Sequence, residues 1–202
     1  TGNRLTDGRK RQIMTIAVLA LQGAFAEHEK VLDRLGVSHI GLRQAGDLKK
    51  PFDALILPGG ESTVQSKLLK ELDMFEPLKK RIENGMPVLA TCAGLILLAS
   101  EIEGQDSCHF GTIPMCVRRN AYGRQLGSFH TEETVKSVGK VPMTFIRAPY
   151  VSDVHDGTRV LASVEDRIVG VQYNNQLAFS FHPELDEDTR IHERFLEIVR
   201  NS

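Results

Sequence analysis

Ile16-Ala17-Val18-Leu19-Ala20-Leu21 is an unbroken apolar run, too short for a globular helix and lacking the alternation of a half-exposed strand. A strand apolar on both faces must be covered on both, which is the mark of a parallel sheet enclosed by helices. The pattern recurs. Asp53-Ala54-Leu55-Ile56-Leu57 is closed by Pro58-Gly59-Gly60, and Val88-Leu89-Ala90 leads into Thr91-Cys92. Between these runs, residues 26–35 carry Val31, Leu32 and Leu35 at helical spacing and end at Gly36, a natural C-cap. Residues 37–42 read as another strand, and 64–72 and 75–84 as amphipathic helices. Strands alternating with helices imply a doubly wound α/β sheet.

The second half has a different texture. Residues 112–120 and 127–138 contain shorter strand-like pieces broken by Gly and Pro, as in antiparallel meanders. Residues 167–173 and 177–181 flank Asn174-Asn175-Gln176, a hairpin turn, and 189–200 form a closing amphipathic helix. With 202 residues and no internal repeat or linker, the chain is expected to hold one domain over 14–202. Residues 1–13 read as a leader or disordered tail, with Met14 as the native start. A net charge of -1 gives no basic surface for nucleic acid or membrane, and no apolar run reaches the ~20 residues of a membrane span. Three cysteines at irregular spacing make no disulfide framework, which points to a reducing cytoplasm. Cys108 and Cys116 form no Cys-x-x-Cys pair, so no metal site is expected.

In open α/β sheets ligands collect at the carboxyl ends of the strands, where this reading puts Gln22-Gly23, Gly59-Gly60-Glu61-Ser62 and Cys92-Ala93-Gly94. Cys92 ends an apolar strand and is followed at once by a helix-like run. A residue at such a sharp turn is exposed at the sheet edge, against the positive end of the new helix, and a thiolate is favoured there. A buried, inert core cysteine is the competing interpretation.

A thiol nucleophile needs a base, and the base needs an orienting group. Of seven histidines, His28 and His39 flank core elements, and His109, His130, His155 and His192 lie among polar residues. His182 instead follows a strand and opens His182-Pro183-Glu184. Pro183 favours extension before it, and alternate residues of an extended segment share a side, so Glu184 can reach His182 and fix its tautomer. The paired glycines Gly59-Gly60 let backbone N–H groups approach a ligand closely, as an oxyanion requires. No Gly-Lys-Ser/Thr follows, so this is not a phosphate loop.

A glycine loop, a cysteine elbow and His-x-Glu, in that order, resemble the class I (triad) glutamine amidotransferases. Further segments narrow the likeness: Leu19-Ala20-Leu21-Gln22-Gly23, Leu57-Pro58-Gly59-Gly60-Glu61-Ser62-Thr63, Thr91-Cys92-Ala93-Gly94-Leu95-Ile96, Arg119-Asn120-Ala121-Tyr122-Gly123-Arg124-Gln125, Phe145-Ile146-Arg147-Ala148-Pro149 and Phe181-His182-Pro183-Glu184-Leu185. From Met14 to the C-terminus the chain looks like the glutaminase subunits of pyridoxal phosphate synthase. That resemblance implies a flavodoxin-like three-layer α/β sandwich with a mixed central sheet. It implies a glutaminase in which Cys92, His182 and Glu184 form the triad. Gly59, Gly60 and Ala93 would supply oxyanion donors, and Gly59, Gly60, Glu61, Ser62, Arg119, Ile146 and Arg147 would bind L-glutamine. No cofactor or metal is implied. The implied partner is a separate synthase subunit, in a large hetero-oligomer with equal numbers of both, which takes the ammonia to build the vitamin B6 cofactor. Gln22-Gly23, at the strand edge, is the expected transmitter of docking. Ala90 departs from the glycine of many relatives, harmlessly if the elbow turns at Cys92. A glutaminase of another pathway, such as imidazole glycerol phosphate synthesis, and a non-enzymatic binding module on the same fold are the alternatives.

Overall fold

The computed structural model describes residues 13–119 and 128–202. Its first half alternates β1 (Thr15–Leu19), α1 (Phe25–Arg34), β2 (Ser38–Leu42), β3 (Ala54–Leu57), α2 (Ser62–Glu71), α3 (Phe75–Glu83), β4 (Val88–Thr91) and α4 (Ala93–Leu98). The second half is strand-rich: β5 (Ala99–Ile102), β6 (Ile113–Arg118), β7 (Ser128–Val135), β8 (Gly139–Ile146), β9 (Tyr150–Val154), β10 (Arg159–Val164), β11 (Arg167–Tyr173) and β12 (Gln176–Phe179), before α5 (Arg190–Arg200). The apolar run after Cys92 is helical for only six residues and then becomes β5, because Ala99 turns to extended backbone (ψ 134°).

The main sheet runs β2-β1-β3-β4-β12-β11-β9-β6-β5, with β10 against β11. β2, β1, β3, β4 and β12 are parallel; β11 turns antiparallel to β12, and β9 is antiparallel to β11 and β6. The sheet is therefore mixed, with a parallel half of the flavodoxin type. Tyr173 pairs with Gln176, so the hairpin loop is Asn174-Asn175, with Asn174 at φ +50°. Among the described residues, β7 and β8 pair only with each other.

Each buried strand serves two cores, because successive side chains alternate across the sheet. Ala17, Leu19, Leu55, Leu57, Val88 and Ala90 pack with Leu69 of α2 and with Phe75, Leu78 and Ile82 of α3. Ile16, Val18, Ala54, Ile56 and Leu89 face the other way, toward Leu32 of α1, Phe195, Leu196 and Val199 of α5, and Val141, Met143 and Phe145 of β8. Helix, sheet and helix give the three layers. A fully buried Leu, Ile or Phe contributes about 1.5–3 kcal/mol, so both faces together hold the carboxyl edge of the parallel strands rigid.

Candidate active site

That edge gathers the residues singled out above. Cys92 follows β4 at φ +50° and ψ −105°, a strained conformation for a residue with a side chain. The strain is held from both sides. Cys92 N–H donates to Phe179 O (2.8 Å), tying the elbow to β12, and Cys92 O accepts from Leu95 N (3.1 Å) at the start of α4. The exposed elbow expected from the sequence is corrected here: Cys92 is buried, only 7% exposed, with the end of β8 lying against it. Sγ lies 3.9 Å from the carbonyl oxygen of Ile146, the end of β8. Ala93 is the first residue of α4, where backbone N–H groups have no partner one turn back.

His182 and Glu184 follow β12, the parallel neighbour of β4. His182 Nδ1 lies 2.5 Å from Glu184 Oε1, and both side chains are almost wholly buried. Their contact arises differently from the extended alternation read in the sequence: Pro183–Leu185 forms a single 3₁₀ turn, and the turn swings Glu184 back under the imidazole. β8 anchors the loop. His182 N–H donates to Thr144 O (2.8 Å), and the Thr144 hydroxyl donates to Asp186 Oδ2 (3.0 Å). Burial acts to lower the His182 pKa, but hydrogen bonds to Cys92 and Glu184 and their charges outweigh it and raise it to about 10. The imidazole is thus held as imidazolium between thiol and carboxylate.

The glycine loop closes over the ring. A Cβ on Gly59 would meet His182 Cε1 at 2.3 Å, so only glycine lets the loop lie against the imidazole. Gly59 O accepts from Ala24 N (2.9 Å), and a Cβ on Gly23 (φ +97°) would strike that same oxygen at 1.8 Å. Gln22 Oε1 accepts from Glu61 N (2.9 Å). The loops after β1 and β3 are therefore one unit. Gln65, which the sequence reading passed over, staples them from inside α2: its Nε2 donates to Gln22 O and Pro58 O, both at 3.1 Å. Ser62 opens α2, its hydroxyl buried and without a hydrogen-bond partner among the described residues, while Glu61 is exposed.

The Ile146 carbonyl, at the end of β8, borders the thiol, and Arg147 follows it; both residues are exposed, and Arg147 holds φ +45°. Arg119, half-buried just past β6, faces His109, whose pKa is lowered by burial first and then by Lys70 and Arg119. No hydrogen bond or ion pair joins Arg119 to Cys92, His182 or Glu184 among the described residues. The rest of its motif, residues 120–125, lies outside the described residues.

One expectation about the histidines needs correction. His192, read as lying among polar residues, is fully buried, and so is His28. They touch each other, Nδ1 of His28 to Nε2 of His192 at 2.9 Å, directly behind Glu184. The signal was present: His28, Val31, Leu32, Leu35 and His192, Phe195, Leu196, Val199 both follow i, i+3, i+4, i+7, which puts each histidine on its helix's buried face. The described helices include none long and apolar enough to cross a membrane.

Known proteins resemble this chain over most of its length. The model of the SNO glutamine amidotransferase family matches residues 18–201. The pyridoxal 5'-phosphate synthase subunit PdxT of Desulfitobacterium hafniense (strain Y51) is 59% identical over 186 residues, 92% of this chain and 94% of that protein. The subunit of the same name from Streptococcus pneumoniae (strain ATCC 700669 / Spain 23F-1) is 54% identical over 190 residues, 93% of this chain and 98% of that one. A crystal structure of a glutamine amidotransferase superposes with a TM-score of 0.87 at 43% identity, covering 92% of this chain and 98% of the other. A glutamine amidotransferase from Thermotoga maritima, at TM-score 0.61 and 18% identity over 94% of this chain and 83% of its own, shares the fold.

Proposed function

This chain belongs to the SNO glutamine amidotransferase family, and from that premise we propose that Cys92, His182 and Glu184 release ammonia from L-glutamine for a pyridoxal 5'-phosphate synthase partner. The observation that carries the reading is His182, 2.5 Å from Glu184 Oε1 and with its pKa raised to about 10 by Cys92 and Glu184 together.

The chemistry follows from the positions. Cys92 Sγ attacks the side-chain amide carbon, and the thiol proton resides on His182. The oxygen of the tetrahedral adduct becomes anionic, and the N–H of Ala93 and the Gly59-Gly60 backbone are the donors within this site that can receive it. Loss of one such donor typically costs about 3 kcal/mol of transition-state stabilisation. His182 then passes its proton to the departing nitrogen, so that ammonia leaves and a thioester remains. Water, deprotonated by His182, attacks the thioester carbon; the C–S bond breaks, glutamate leaves, and Cys92 and His182 return to their starting state. Glu184 holds one ring orientation throughout. Glu61, Ser62, Arg119, Ile146 and Arg147 are assigned to the free amino acid's ammonium and carboxylate, which charged groups and backbone donors pair well.

Ammonia made without an acceptor is lost. The isolated chain is accordingly expected to be nearly idle, and a cytoplasmic hetero-oligomer with equal numbers of synthase subunits would be its working form. The shared unit of Gln22-Gly23 and Gly59-Gly60 is the route by which docking would reach the oxyanion site. Glutamate release, measured with and without the synthase, tests both claims. Cys92→Ala should abolish synthase-stimulated release, by at least about a thousandfold; an unchanged rate would remove the catalytic assignment. Full activity without the synthase would remove the gating.

A further inference from the structure

Glu184 has two oxygens, and the triad uses one. Oε1 takes the His182 contact; Oε2 is buried, has no hydrogen-bond partner among the described residues, and lies 3.6 Å from His28 Nε2. The His28 ring is fixed at both ends, by Thr91 Oγ1 at 3.2 Å from Nε2 and by His192 Nε2 at 2.9 Å from Nδ1. Burial lowers the pKa of both histidines, that of His192 to about 3. Each ring therefore carries one proton, and a single proton lies between His28 Nδ1 and His192 Nε2.

Two arrangements satisfy that count. If His28 donates to His192, the bare lone pair of His28 Nε2 faces the Glu184 carboxylate. His192 must then carry its proton on Nδ1, which has no partner among the described residues. If His192 donates to His28, the N–H of His28 sits on Nε2, directed at the Thr91 hydroxyl with Glu184 Oε2 beside it. His192 then leaves only a bare nitrogen unpartnered. The second arrangement removes a lone pair from in front of an anion and avoids an orphaned buried donor, the costlier of the two.

We propose that His28 is a positioning residue for Glu184, its Nε2–H fixed between the Thr91 hydroxyl and the neighbouring Oε2 by a proton that His192 donates from behind. The relay begins at His192 on α5, passes through His28 on α1, and ends on the carboxylate that orients His182. Helices α1 and α5 thereby set the rotation of Glu184 and, through it, the imidazole facing Cys92. This rests on the reading of Glu184 as the acidic member of the triad.

Nitrogen-15 NMR of the histidine-labelled full chain tests the tautomers with no substitution. At neutral pH both His28 and His192 should be neutral with the proton on Nε2; a His28 proton on Nδ1 overturns the proposal. Kinetics of the complex with synthase, using glutamine, test the role. His28→Leu should lower kcat about three- to tenfold, less than loss of a direct hydrogen bond to a charged group because Nε2 stands 3.6 Å from Oε2, with KM for glutamine within about twofold. His28→Gln, whose amide can reach the Nε2 position, should recover more kcat than His28→Asn, whose amide reaches only the Nδ1 position. Equal losses for Gln and Asn, or wild-type kcat in His28→Leu, overturn the proposal. A variant that does not fold leaves the decision to the tautomer measurement. If Cys92→Ala in the same complex still releases glutamate, the triad itself fails, and that outcome is separate from any His28 result.

Discussion

Two histidine environments meet at Glu184. In front of it, His182 is 6% exposed and has its pKa raised to about 10; behind it, His28 and His192 are 0% exposed and both are lowered, His192 to about 3. Burial pushes all three the same way. For His182 the hydrogen bonds to Cys92 and Glu184 reverse it; for His192 nothing does, and the charge of Arg34 adds to the lowering. The same side chain, within one cluster, is kept charged where it meets a carboxylate at 2.5 Å and neutral where burial is complete and its hydrogen-bonded neighbour is another imidazole.

The largest test of that contrast removes the anion. Glu184→Gln keeps the shape but not the charge, so it should cost about a hundredfold or more in kcat of the synthase complex and return the His182 pKa toward its ordinary value, read by NMR titration. Next comes the loop in front. Gly59→Ala drives a methyl group into His182, and about tenfold or more should be lost in kcat without loss of folding by circular dichroism.

Stability against pH should separate front from back. His192 has its folded-state pKa lowered, so below about 6.5 the unfolded chain binds a proton that the folded chain refuses, and stability falls as pH drops toward 3. At pH 5 that amounts to about 2 kcal/mol. Melting of His192→Phe should accordingly be flatter between pH 5 and 7 than that of the parent. His182 leans the other way. Its folded-state pKa is raised, so its contribution is complete below about 6.5 and is lost as pH rises toward 10; Glu184→Gln should flatten that alkaline side. The smallest effect is expected from Thr91→Val, which deletes the hydroxyl 3.2 Å from His28 Nε2 and should cost about 1 kcal/mol in denaturant unfolding.

Much of the front was legible in the chain. The elbow at Cys92 was readable because a buried strand running into a helix leaves one residue at the turn. His182 and Glu184 were readable because they are two residues apart, although a 3₁₀ turn rather than extension brings them together. Arg119 was placed in the site by resemblance alone, and among the described residues its charge acts on His109.

By itself the sequence determined the layered α/β architecture, the glycine loop, the sharp turn at Cys92 and the His182-x-Glu184 pair proposed to serve it, since each is encoded within a few residues by periodicity and turn chemistry. Helical spacing also carries the inward-facing positions of His28 and His192, although His192 was read as lying among polar residues. Only the tertiary structure decided what they face: the two rings, 164 residues apart in the chain, meet because α1 and α5 pack on the same side of the sheet, behind the carboxylate that β12 delivers. Helical period fixes the face a side chain presents, and packing between distant elements fixes its partner and therefore its charge.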